Sequence, residues 1–151
     1  MKTKFLGLAV VVMISSQTMA GTVEKWAGTG AVFSPDGQQL STYDISVVNT
    51  QIAPNMIQSD ATVTMPDGTQ KVVSQKITEN GNNWSVDSNL GKGGGACYGG
   101  DLCENYILGA NGLAYATTII SDGPDTRRDL TTQLQDGKAV TMMRDKLTRL
   151  Q

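Results

Sequence analysis

The sequence predicts an all-β protein, an antiparallel up-and-down β-barrel of about eight to nine strands. Three observations carry this expectation. Six Asn-Gly or Asp-Gly turn signals recur along the chain, at Asp36-Gly37, Asp67-Gly68, Asn80-Gly81, Asn111-Gly112, Asp122-Gly123 and Asp136-Gly137, and these dipeptides are the strongest short hairpin signals a sequence offers. The segments between them are rich in Val, Ile, Thr, Tyr and Trp, and several alternate apolar with polar, the mark of a sheet with one wet face. Only residues 89–103 form a long irregular connection. A Greek-key sandwich usually needs more crossovers than that, whereas closing a meander into a barrel hides every strand edge.

The first 20 residues read as a secretory signal. Lys2 and Lys4 form a charged start, Phe5 to Ile14 a short apolar run, and Thr18-Met19-Ala20 a cleavage region. An apolar run of roughly 10 residues is too short to cross a hydrocarbon core that needs about 20, so we expect no membrane insertion. No cysteine follows the run to carry a lipid. Of the 151 residues, 131 then remain, in keeping with a single domain over 21–151 that is periplasmic or secreted. Lys2 and Lys4 leave with the signal, so 12 basic side chains become 10 against 14 acidic, a net charge of −4. That balance argues against a nucleic-acid partner, whose phosphates call for Lys and Arg.

Strands are expected at about 24–33, 38–50, 56–65, 69–79, 83–88, 104–109, 113–121, 126–135 and 138–149. Tyr43, Ile45 and Val47 share one face while Thr42, Asp44 and Ser46 share the other. Leu113 to Ile120 is apolar or small on both faces, as for a strand covered on both sides. In the last segment Val140, Met143, Leu147 and Leu150 have helical spacing, but the Asp-Gly turn directly before it favours a strand to about Lys146. Gly91 to Cys103 has six glycines in thirteen residues; glycine loses the most entropy on ordering and packs no side chain, so this stretch is expected to be a loop with a mobile first half. The only two cysteines, Cys97 and Cys103, close its second half, and in an oxidising compartment they pair. Such a bridge is structural; a redox pair is usually Cys-x-x-Cys at a helix start.

The chain has no histidine, which excludes a His-dependent triad, a His-ligated haem and most zinc sites. No metal and no cofactor is expected. Gly91-Lys92-Gly93-Gly94-Gly95 lacks the residue order and following helix of a phosphate loop. Asp44, Asp60, Asp87 and Asp101 are the carboxylates considered for a catalytic pair, and no spacing brings two of them together. We therefore expect a binding protein and not an enzyme.

Trp26-Ala27-Gly28-Thr29-Gly30, at the start of a meandering β chain of this size, resembles the opening of calycin-type barrels, the group of lipocalins, fatty-acid-binding proteins and avidins. The resemblance implies that Trp26 plugs one end of the barrel and that an arginine of the last strand, Arg144 before Arg149, lies across it. Where the lipocalin pattern has glycine two residues before the tryptophan, this chain has Glu24. The glycines after Trp26 allow a sharp bend at a barrel corner. The resemblance further implies a small apolar or amphipathic ligand, for which Arg127, Arg128, Tyr115 and Tyr98 are the candidate contacts. Adjacent Arg127 and Arg128 lie on one strand, so one points in and the other out. An inward arginine would grip a carboxylate through paired hydrogen bonds, but pairing with Asp125, Asp129 or Asp145 at the surface is the favoured reading. The alternative function is a protein-interaction module, an envelope assembly factor or enzyme inhibitor that presents Tyr98 on the 91–103 loop.

Overall fold

In the computed structural model residues 21–151 are described; the signal reading falls on residues 1–20 and lies outside them. Ten antiparallel strands close into a barrel in simple sequence order: β1 (Val23–Phe33), β2 (Gln39–Ala53), β3 (Met56–Thr64), β4 (Gln70–Asn80), β5 (Asn83–Ser88), β6 (Gly91–Cys97), β7 (Leu102–Leu108), β8 (Leu113–Ser121), β9 (Thr126–Gln135) and β10 (Lys138–Leu150). β1 pairs with both β2 and β10, which closes the ring. The glycine of each of the six turn signals has a positive φ, the backbone those turns require and other residues resist. Among the described residues no helix is long and apolar enough to cross a membrane.

The barrel has two more strand-level features than the sequence suggested. β10 continues past Lys146 to Leu150. More consequentially, the glycine-rich stretch is not a loop: Gly91–Cys97 is β6, paired with β5 on one side and β7 on the other. That correction raises the count to ten and removes the expected mobile half. Its physical reason is close approach. A Cβ built on Gly93 would sit on the Tyr106 carbonyl oxygen, and one on Gly95 would collide with the Glu104 carbonyl and the Trp84 ring. Here glycine is the residue that lets a strand fit. Gly28 and Gly30 do the same on β1, against the Lys146 carbonyl and against Tyr43 and Asp145.

Alternation places one face of every strand inside. Three apolar clusters result among the described residues, two of them large and a third, small one at Cys103 and Ile119. The larger holds Trp26, Val32, Tyr43, Ile45, Val47, Ala61, Val63, Val73, Met143 and Leu147; the second holds Ile57, Ile77, Val86, Ile107 and Tyr115. Leu90, in the turn between β5 and β6, packs against both. Asn89 in that turn hydrogen-bonds the edge of β4 at Ser74 and Val72, where β4 runs on beyond its pairing with the shorter β5. Cys97 and Cys103 are cross-strand partners joined by a disulfide, beside Ile119 and Trp84.

Candidate functional site

Buried polar side chains interrupt the apolar interior at several places, and two groups of them bear on a site. The first is charged. Asp129 on β9 and Asp145 on β10 are direct cross-strand neighbours, 0 % and 3 % exposed. Arg127 donates to Asp129 Oδ2 at 3.0 Å, and Tyr43 donates its hydroxyl to Asp145 Oδ1. One oxygen of each carboxylate, Asp129 Oδ1 and Asp145 Oδ2, has no protein partner. Burial pushes the Asp145 carboxyl up to about 7; the Asp129 charge adds to this, while the Tyr43 hydrogen bond and Arg127 oppose it. Burial also raises Asp129, against the pull of Arg127, and raises the Tyr43 hydroxyl. Two anions and one cation cannot be buried cheaply together, so the cluster favours holding one extra proton and being neutral.

This cluster corrects two expectations. The guanidinium over Trp26 belongs to Arg127 of β9, 5.2 Å from the ring centroid, and not to Arg144, which points outward over Phe33 at 4.7 Å. Arg149 instead pairs with Glu24 at 2.6 Å. Trp26 itself is buried, at 7 % exposed. Arg127 points in and Arg128 out, as alternation requires, but the Arg127 pair with Asp129 is buried and not at the surface. Arg128 lies outside, bonded twice to Asp122, whose carboxyl it holds below its ordinary range. Both arginines are engaged within the protein, Arg127 by Asp129 and Arg128 by Asp122, and Arg127 Nε has no protein partner. Asp44, Asp60, Asp87 and Asp101 are not among the buried residues; the one facing carboxylate pair, Asp129 and Asp145, was missed by sequence reasoning. A phase argument would have found it, since Asp145 falls between inward Met143 and Leu147.

The second group is neutral. Asn49, Ser59 and Gln75 occupy adjacent inward positions across β2, β3 and β4, at 0 %, 0 % and 1 % exposed. This row separates Val47, Ala61 and Val73 of the larger cluster from Ile57 and Ile77 of the second, and so explains why these two clusters are distinct. On the far side of the smaller cluster Asn105 sits beside Thr117, whose hydroxyl meets that of Thr131 at 3.0 Å. Both amide atoms of Asn49, Gln75 and Asn105, and the Ser59 hydroxyl, have no protein partner. Tyr115 lies in the second apolar cluster at 2 % exposed, with burial raising its hydroxyl. Tyr98 is on the outside, 60 % exposed, in the turn between β6 and β7. The 91–103 segment therefore does not project as a loop.

On the outer surface a depression of about 930 Å³ crosses β9, β10, β1 and β2 to the end of β3, with Arg128, Arg144 and Lys146 on one side and Asp44 and Thr64 on the other. It is separate from the neutral amide row.

The fold has relatives among solved structures. A protein of unknown function from the DUF3598 family of Nostoc punctiforme superposes with a TM-score of 0.70 at 12% identity, over 83% of this chain and 46% of that one. The S-type phycobiliprotein lyase of Guillardia theta superposes with a TM-score of 0.60 at 10% identity, over 84% of this chain and 87% of that one. This chain thus spans less than half of the first and most of the second. At such identities the likeness is one of fold. No family model matches the sequence, and no curated protein does.

Proposed function

We propose that this chain is an exported binding barrel of calycin type that holds a small amphipathic molecule inside, and that it is not an enzyme. One observation carries the reading: seven polar atoms of Asn49, Ser59, Gln75 and Asn105 are buried without a protein partner. Leaving a buried donor or acceptor unmade costs about 1–3 kcal/mol. Seven such atoms together cost on the order of the whole net stability of a domain, about 5–15 kcal/mol. Apolar side chains at these positions would avoid that cost, so their retention is explained by a guest that supplies the missing bonds. The four side chains are uncharged, each offering donor and acceptor, and so suit hydroxyl, carbonyl or amide groups. Ile57, Ile77, Val86, Ile107 and Tyr115 between them suit an apolar body.

Entry is assigned to the β5–β6 turn. Leu90 there touches both large clusters and is only partly buried, and the neighbouring edge of β4 is bonded by Asn89 through its backbone N–H and its side chain. A binding role, and not catalysis, fits the enclosure of Asp129 and Asp145. Export rests on the leader composition and on the disulfide, which suits an oxidising compartment.

The test is native mass spectrometry of protein purified from its own source, before and after solvent extraction, together with the double variant Asn49→Leu, Gln75→Met. We expect a bound mass that extraction removes, and a double variant that binds none while resisting urea better than the extracted parent. A parent that carries no small molecule, with a double variant no more stable than it, would refute the reading.

A further inference from the structure

We infer that the outer face of β6–β9 is a second binding site, for a neutral saccharide. The described residues contain seven aromatic side chains: Trp26, Phe33, Tyr43, Trp84, Tyr98, Tyr106 and Tyr115. Only Tyr98 and Tyr106 are exposed, at 60 % and 44 %. Both line the same groove, which encloses about 520 Å³. Of the other five, Trp26, Tyr43 and Tyr115 are buried and Phe33 and Trp84 partly buried, and the two exposed rings share one depression.

The groove is made by small residues. Gly94 and Ala96 on β6 and Ala116 on β8 form its floor, on the outward phase that alternates with inward Gly93, Gly95 and Thr117. The glycines of this stretch permit close strand approach on both phases, Gly94 against the Trp84 carbonyl included, and outward Gly94 also leaves the surface low between the rings. Tyr98 is not on a loose arm. Its N–H donates to the Leu102 carbonyl at 2.8 Å, and the Cys97–Cys103 bridge closes the turn that carries it. An aromatic held in place loses little conformational entropy on binding.

The chemistry of the lining selects the guest. No lysine or arginine lines this groove, and Glu104 is its one charged group, so it offers nothing to a phosphate, sulfate or carboxylate. Thr118 and Thr132 bring hydroxyls to the same face. A peptide that adds as a strand needs a free sheet edge, and β6 to β9 are each paired on both sides. Exposed rings over a low floor, flanked by hydroxyls and one carboxylate, match a pyranose: its C–H face packs on the ring and its hydroxyls meet Glu104 and the threonines.

The test is calorimetric titration of the full exported chain with cellohexaose, maltohexaose and the hexamer of N-acetylglucosamine, with amide chemical shifts to locate the site. At least one should bind with a Kd of about 1 mM or tighter and shift amides of β6, β7 and β8. Tyr98→Ala and Tyr106→Ala should each weaken it about 3- to 10-fold, and Ala116→Leu, which fills the floor from outside, should abolish it. The interior variant Asn49→Leu, Gln75→Met should leave saccharide affinity unchanged, which separates this inference from the interior reading. If none of the three binds, or if binding survives the double loss of Tyr98 and Tyr106, the inference is overturned.

Discussion

Replacing Asp145 by Asn should flatten the pH dependence of stability. Asp145 is buried beside Asp129, accepts from Tyr43 and has its carboxyl raised from an ordinary 3.8 to about 7. Between those values the folded barrel holds a proton that the unfolded chain has released. Stability is therefore greatest at the acid end of this window, falls as pH rises through it and has lost the contribution above about 7. Each pH unit of such a shift is worth about 1.4 kcal/mol, so the full window amounts to about 4 kcal/mol. Asn stays neutral in both states and still accepts from the Tyr43 hydroxyl. Asp129 is raised in the same direction by burial and is coupled to Asp145 through its charge, so the difference between the two proteins reports the proton held by the pair. The assay is urea unfolding followed by tryptophan fluorescence at about pH 4.5, 6 and 8. Relative to the parent, Asp145→Asn should gain stability steadily with pH, by about 3–4 kcal/mol across the range. Parallel curves for the two proteins would refute the account of a proton held inside the barrel.

Gly93→Ala should cost at least about 3 kcal/mol in urea unfolding, because its methyl group meets the Tyr106 carbonyl; Gly100→Ala, with open space around it and no positive φ, should change little. Arg127→Met should destabilise by about 3–5 kcal/mol at pH 8, since it strands the buried Asp129 charge, whereas Arg144→Met on the outer surface should cost less than about 1 kcal/mol; equal effects would contradict the assignment of Arg127 to Trp26. Native-state hydrogen exchange should find the amides of β5 and β6 opening more readily than those of β2 and β3, because β6 contributes no large side chain to either cluster; uniform protection around the ring would count against entry at Leu90.

The meander was legible because turn chemistry is local. Each Asn-Gly or Asp-Gly marks a backbone conformation that depends on two or three residues, and all six produced turns with the glycine at positive φ. The β6 strand was not legible for the opposite reason. Glycine is a poor strand former by its own entropy, and what places Gly93 and Gly95 in a strand is the nearness of the Tyr106 and Glu104 carbonyls and the Trp84 ring, contacts that no local pattern encodes. The partner of Trp26 was misassigned because it depends on how β9 and β10 meet β1 in register. The neutral row had a readable signal that was passed over. Asn49 continues the inward phase of Tyr43, Ile45 and Val47; Ser59 lies in phase with Ile57 and Ala61, Gln75 with Val73 and Ile77, and Asn105 with Cys103 and Ile107. A polar residue in phase with a core face is the informative kind of buried polarity.

The two buried polar groups differ in a way that bears on which is a site. The charged cluster pairs its groups in part: Arg127 answers Asp129, Tyr43 answers Asp145 and a proton held near neutral pH offsets the surplus charge, while Arg127 Nε, Asp129 Oδ1 and Asp145 Oδ2 have no protein partner. Its members come from β2, β9 and β10, and it ties β9 and β10 to β1 and β2 beneath Trp26, a structural role of its own. The neutral row has no such pairing. Asn49, Ser59 and Gln75 are side by side, yet none of their polar atoms named above bonds another, although amides and hydroxyls bond one another readily when their spacing allows. Neighbours that share a row and leave their bonds unmade are directed toward the barrel axis instead of along the wall. That direction is where a guest would lie, and it is why the weight of the functional reading rests on four uncharged side chains, these three and Asn105, and not on the more conspicuous carboxylates.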